Sequence, residues 1–205
     1  MLIVNFKNYK FGIEILNVAK IIQRFNKNAI VCVPAPYIGY ISNNTKLKVF
    51  SQHINDKESG TTTGFLVAEA VKGAGASGTL LNHSEHKLPL SVVKKIMERC
   101  KKLNLRVVVC ASTLWEVKKL KKFNPYAIAY EDPKLISTGK SITSHNPKAV
   151  LKFVKLLKNS KIIPLCGAGV SSMKDYDESL KLGCKGALVA SAIAKSKNPA
   201  GFFKG

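Results

Sequence analysis

Short runs of apolar, mostly β-branched residues return at intervals along the whole chain. They are LIVNF (2–6), AIVCVP (29–34), LKVFSQ (47–52), GTLLN (78–82), RVVVCA (106–111), AIAYE (127–131), KIIPLC (161–166) and GALVA (186–190). Most are continuously apolar instead of alternating with polar residues, which is how strands buried on both faces of a parallel sheet read. Between the runs the apolar spacing widens to three or four. Ile15, Val18, Ala19, Ile22 and Phe25 share one helical face, as do Val93, Ile96, Met97 and Cys100, and again Val150, Phe153, Val154 and Leu157. Helix starts are expected at Ser91, after Leu88-Pro89-Leu90, and at Asn146-Pro147, a capping side chain followed by proline in the first turn.

Strand then helix, repeated eight times, specifies the α/β class and points to a (β/α)8 barrel. A doubly wound open sheet is the structural alternative. At 205 residues the chain is short against the roughly 250 typical of such barrels. Some helices must therefore be shortened, and the segments after 82 and after 131 are the expected places. No low-complexity stretch or linker divides the chain, so residues 1–205 read as a single barrel domain. Apolar runs of about five residues fall far short of the roughly 20 needed to span a bilayer. The N-terminus, MLIVNFKNYK, lacks a signal-peptide layout. The expectation is a soluble, cytoplasmic protein with no membrane association.

Five cysteines (32, 100, 110, 166 and 184) form no CxxC pair, and Cys32, Cys110 and Cys166 lie in or at the end of apolar runs. They read as buried reduced thiols and not as a disulfide framework or a zinc site. The net charge of +21 is extreme. It suggests an anionic partner, either nucleic acid or a phosphorylated small molecule drawn in by the field, although lysines along helices also read as an ordinary solvated face. No aromatic-studded basic stripe or nucleic-acid module accompanies the charge, so a nucleic-acid-associated barrel is the weaker alternative.

Barrel enzymes carry their chemistry at the C-terminal ends of strands. Those ends are Asn5-Phe6-Lys7, Asn82-His83-Ser84-Glu85, Glu131-Asp132-Pro133, Gly167-Ala168-Gly169 and Ala190-Ser191. A lysine, a histidine and a glutamate from three different strands would meet at one mouth, a set complete for proton transfer. Taken singly, each has a plainer reading as a surface lysine, a turn histidine, an ion-paired glutamate or a tight-turn glycine. Their joint placement is what those readings explain poorly.

The residues at and between these strand ends carry a resemblance. NFK at 5–7, SQH at 51–53, GTTTG and VAEAVKGAGA within 60–76, GTLLNHSE at 78–85, EDPKLISTG at 131–139, CGAGV at 166–170 and VASAIAK at 189–195 occur in this order. Together they resemble the triosephosphate isomerase family, and its short archaeal form in particular, over essentially the whole chain. The resemblance implies a TIM barrel with shortened helices. It also implies an isomerase of glycolysis and gluconeogenesis that interconverts dihydroxyacetone phosphate and glyceraldehyde 3-phosphate through an enediolate, with no cofactor and no metal. An inactive or slowed homologue is the alternative within the family.

By the same resemblance Glu131 is the base, His83 the neutral imidazole that polarises the carbonyl, and Lys7 the fixed positive charge. That division between glutamate and neutral histidine is the family's own known arrangement. Asn5 orients substrate oxygens, and backbone near Ile136, Ser137, Gly169, Ala190 and Ser191 holds the phosphate. A helix beginning at Ser84-Glu85 would disfavour protonation of His83, and Glu85 matches a family glutamate that supports the cluster. His86 reads as a helix-surface residue. The stretch from Asp132 to Lys140 resembles a lid. The polar loop Asp56–Gly64 resembles the one that docks on a neighbouring subunit, which implies a homodimer or homotetramer. Ser137 and Ala192 stand where glycine is usual in the family, and Asp132 where proline is usual. The Asp132 carboxylate is expected to raise the pKa of Glu131 if the two side chains approach.

Overall fold

The computed structural model describes residues 1–132 and 142–204. The apolar runs form strands β1 Leu2–Asn5, β2 Ile30–Val33, β3 Lys48–Ser51, β4 Gly78–Leu81, β5 Arg106–Ala111, β6 Ala127–Tyr130, β7 Ile163–Cys166 and β8 Ala187–Val189. All neighbours pair in parallel, and β8 closes on β1 with Leu2 opposite Ala187 and Val4 opposite Val189. The open-sheet alternative is thereby excluded.

Continuous apolarity follows from burial on both sides. One set of side chains fills the barrel: Ile3, Ile30, Cys32, Phe50, Leu80, Val108, Cys110, Ala127, Ala129, Leu165 and Leu188. The alternate set, including Val4, Val31, Val49, Leu81, Val109 and Ile128, packs against the helices. Phe50 occupies the interior only because β4 begins with glycine. A Cβ on Gly78 would lie 2.5 Å from Phe50 Cζ and 2.3 Å from the Arg106 carbonyl oxygen. Two polar residues in the outward set, Ser51 and Thr79, satisfy each other across β3 and β4 through a 2.8 Å hydroxyl hydrogen bond.

The helical spacings correspond to α1 Gly12–Phe25, α4 Leu90–Lys102 and α7 Pro147–Leu157, with buried faces at the expected positions. Asn146 caps α7 by accepting the Ala149 N–H at 3.2 Å. The helix expected from Ser91 begins at Leu90, directly after Pro89. The economy of length lies elsewhere than expected. The connection after β4 leads to α4, a full 13 residues, and β6 is followed by α6 Ile142–His145 and the 11-residue α7. The short pieces are α2 Ile38–Asn44, α3 Ala68–Gly73 and α5 Leu114–Lys121, together with α9 Ser191–Ala194 and α10 Gly201–Lys204 near the end. The remaining helix, α8 Met173–Lys181, is intermediate in length. All five cysteines are buried free thiols. Among the described residues no helix is long and apolar enough to cross a membrane.

Candidate active site

The inward side-chain series continues past the strand ends, and there it changes from bulky apolar residues to polar or small ones. Ile3 is followed two residues on by Asn5, Ala129 by Glu131, Leu165 by Gly167, and Leu188 by Ala190. A period of two carries each of these positions into the mouth of the barrel. Asn5, Lys7, His83, Glu131, Gly167, Gly169, Ala190 and Ser191 line one pocket there. The lysine, histidine and glutamate expected from separate strands are therefore brought together. Ile136 and Ser137, with most of the lid stretch up to Lys140, lie outside the described residues.

Glu131 is the most deeply placed of the three, 1% exposed. Its Oε1 lies 3.3 Å from His83 Nε2, and its Oε2 has no hydrogen-bond partner among the described residues. Burial pushes the carboxyl pKa up to about 7, while the adjoining Cys110 thiol, the Ser84 backbone N–H and the two lysines 87 and 7 pull the other way. Loss of solvent is the leading cause of the rise. Space for the carboxylate comes from Gly167, where a Cβ would stand 2.6 Å from Glu131 Cγ.

His83 is held in one tautomer. Its Nδ1 accepts the backbone N–H of Glu85 at 3.2 Å, so in the neutral ring the proton sits on Nε2, which faces Glu131. Burial lowers the imidazole pKa to about 4, opposed by the Glu85 carboxylate and assisted by Lys7 and Lys87. Ser84 and Glu85 form a turn and start no helix, closed by the His86 N–H donating to the His83 carbonyl at 2.8 Å. A helix dipole is thus not what keeps this ring neutral; desolvation does so, and the turn's own N–H selects the tautomer. His86 lies in that turn and stacks on His53 at 4.1 Å, so its reading as a helix-surface residue is also corrected.

Lys7 adopts a left-handed backbone (φ 44°), uncommon for a residue with a side chain. Asn5 stabilises it by accepting the Lys7 backbone N–H on Oδ1 at 3.0 Å. Gln52 Nε2 reaches the Lys7 carbonyl at 2.9 Å and Asn5 Oδ1 at 3.2 Å. The ammonium pairs with Glu85 Oε1 at 2.6 Å. Glu85 therefore serves both partners, through its backbone to His83 and through its carboxylate to Lys7.

Beside this trio, Gly169 (φ 70°), Ala190 and Ser191 leave their backbone N–H groups without an acceptor among the described residues. Small side chains there leave room for an anion to approach the backbone. Gln52 and Cys110 were absent from the sequence-derived site. Each closes or interrupts an apolar run, and a polar or thiol side chain at a strand's C-terminal end was the signal available.

The family model for triosephosphate isomerase matches residues 1–204. The chain is 34% identical to the triosephosphate isomerase of Methanocaldococcus jannaschii, over 97% of this chain and 94% of that one. It is 36% identical to the triosephosphate isomerase of Sulfolobus acidocaldarius, over 97% and 90% of the two chains. The fold is similar to the crystal structure of triosephosphate isomerase from Bartonella henselae, with a TM-score of 0.72 at 21% identity, covering 92% of this chain and 91% of that one. With the barrel closed and its mouth so furnished, this chain belongs to the triosephosphate isomerase family.

Proposed function

We propose that Glu131, His83 and Lys7 carry the interconversion of dihydroxyacetone phosphate and glyceraldehyde 3-phosphate in this chain, with no metal or cofactor taking part. The observation that carries this reading is the His83 ring. Its Nδ1 is engaged by the Glu85 N–H, and its Nε2–H points to the same space as Oε1 of Glu131. A substrate carbonyl oxygen entering that space accepts from Nε2, and the Glu131 carboxylate removes a proton from the adjacent carbon. The electron pair of the broken C–H bond forms the enediolate C=C bond, and the charge moves onto oxygen beside the Lys7 ammonium. Transfer of the hydroxyl proton of the first carbon to the former carbonyl oxygen, by way of His83 Nε2, and return of the carbon-bound proton from Glu131 to the neighbouring carbon complete the isomerisation. The Asn5 amide orients the substrate oxygens.

The phosphate is held by the backbone N–H groups of Gly169, Ala190 and Ser191, which have no acceptor among the described residues, together with the backbone of Ile136 and Ser137. A closed lid excludes water and protects the enediolate from losing phosphate. The unit at work is the single barrel domain of residues 1–205. The loop Asp56–Gly64, exposed along nearly its whole length and leading into the half-exposed Phe65, docks on a neighbouring subunit in a homodimer or homotetramer. Five reduced thiols fit a cytoplasmic enzyme.

Turnover in a coupled isomerase assay tests the assignment. Glu131→Asp withdraws the carboxylate by one methylene and should lower kcat by about a hundredfold or more. His83→Gln removes a polarising donor of fixed orientation, with a loss of similar order. Parental turnover in both variants would overturn the proposal.

A further inference from the structure

A sizeable cleft lies at the other end of the barrel from the catalytic mouth. It lies between the C-terminal part of α4 and the loop from α5 to β6, and encloses about 510 Å³, within the roughly 300–1,000 Å³ usual for small-molecule sites. Its floor is apolar, made by the buried Met97, Leu105 and Val107. Its rim carries Lys94, Lys101, Arg106 and Lys122 against a single carboxylate, Glu98. That carboxylate is 3.8 Å from Lys94, and the other three cations form no ion pair among the described residues.

Lys101 lies in the last turn of α4 and Lys122 caps α5, where a cation also complements the helix dipole. Arg106 lies on no helix. Its guanidinium is held over the Tyr126 ring at 4.8 Å from the centroid, with Nη1 donating to the tyrosine hydroxyl at 3.5 Å. The dipole does not account for that arrangement. The two turns that wall the cleft are fixed by left-handed asparagines, Asn104 (φ 56°) and Asn124 (φ 53°), whose N–H groups close back on Lys101 and Lys121. A flat cation presented beside two ammonium groups above an apolar floor suits a ligand with both a planar ring and several negative charges.

We propose that this cleft binds a nucleoside di- or triphosphate. The base stacks on the free face of the Arg106 guanidinium, and Lys101 and Lys122 take the phosphates. None of these residues belongs to the isomerase site, so binding here and turnover there are separable.

Calorimetric titration of the full chain with ATP in about 0.15 M salt, where loose surface attraction is screened, tests the proposal. The expected result is one ATP per chain. Arg106→Ala and the pair Lys101→Glu/Lys122→Glu should each weaken it at least tenfold while isomerase turnover stays at the parental level. The pair Lys152→Glu/Lys155→Glu on α7 changes the net charge equally and should leave affinity within twofold. Tripolyphosphate, which lacks the ring, should bind at least tenfold more weakly than ATP. Equal loss in the α7 pair would mean that overall charge alone gathers polyanions, and would overturn the site. Parental affinity in the cleft variants would do the same. Tripolyphosphate binding as tightly as ATP, or a single-stranded oligonucleotide displacing it from the cleft, would overturn the nucleotide assignment.

Discussion

Nε2 of His83 faces Oε1 of Glu131 across 3.3 Å, while Nδ1 of the same ring is occupied by a backbone N–H two residues on. Burial moves the two groups in opposite protonation directions, the imidazole down to about 4 and the carboxyl up to about 7. Both changes disfavour the charged form, and together they separate a base from a neutral hydrogen-bond donor.

The acid limb of kcat/KM is therefore expected to belong to Glu131. Activity should fall as pH drops through about 7 with the slope of a single proton, because the carboxyl must be ionised to act. His83 stays neutral until about pH 4 and adds no limb above that. Initial rates from pH 5 to 9 check this, and a profile with no break near 7 would contradict it.

Stability should show the same shifts with the opposite consequence for Glu131. Its folded pKa is raised, so its contribution to stability is present in full below the unfolded value near 4.5 and is lost as pH rises towards 7. Glu131→Gln, which cannot ionise, is expected to be more stable than the parent at pH 8, by on the order of 2 kcal/mol, and indistinguishable at pH 4. His83 runs the other way: its folded pKa is lowered, so stability present above 6.5 is lost as pH falls from there to about 4. Urea denaturation at several pH values measures both.

Gly167→Ala should damage turnover out of proportion to its size. The new Cβ would meet Glu131 Cγ at 2.6 Å and the Tyr130 carbonyl oxygen at 3.0 Å, and the backbone contact cannot swing away. Displacing the base by even about 1 Å costs roughly a hundredfold in rate. The expected signature is a fall in kcat with KM changed less than threefold.

Asn82 joins the end of β4 to the turn that carries His83. It is buried in a left-handed conformation (φ 57°), donates from Nδ2 to the Cys110 carbonyl at 2.9 Å, and accepts the Leu88 N–H on Oδ1 at 2.9 Å. Asn82→Gly keeps the backbone and loses both bonds. Asn82→Ala loses the bonds and pays for the conformation as well, so it should be the less stable of the two by about 1 kcal/mol. Equal stabilities in thermal or urea unfolding would show that the backbone carries no strain there.

The charge of +21 should appear in the kinetics as steering of a phosphate dianion. kcat/KM is expected to fall several-fold between about 0.05 and 0.5 M sodium chloride while kcat holds. A flat profile would give the basic surface some other use.

The strand–helix alternation was legible because burial on both faces leaves unbroken apolar runs, and Gly78–Leu81 and Ala127–Tyr130 lie where those runs do. His83 and Glu131 were legible because a polar residue directly after such a run has to face the mouth. The helix lengths were not legible. The segment after 82 looked short of helix, yet α4 begins eight residues on and runs for 13, because an apolar stripe records which face is buried and not how long the preceding turn is.

By itself the sequence determined the alternation of strands and helices and the residues that stand at the strand ends, which follow from side-chain periods of two and of three to four. The eightfold repeat and the resemblance added the expected barrel, and the structure decided that the sheet closes with its strands in chain order. Only the tertiary structure decided what those residues are chemically. The ring of His83 is neutral because it is desolvated and because one particular N–H, that of Glu85, fills its Nδ1. Glu131 is raised because the assembled barrel buries it away from water, by more than the Cys110 thiol, the Ser84 N–H and the nearby lysines pull it back. Solvent exclusion is a property of the assembled packing, and no local stretch of sequence encodes it.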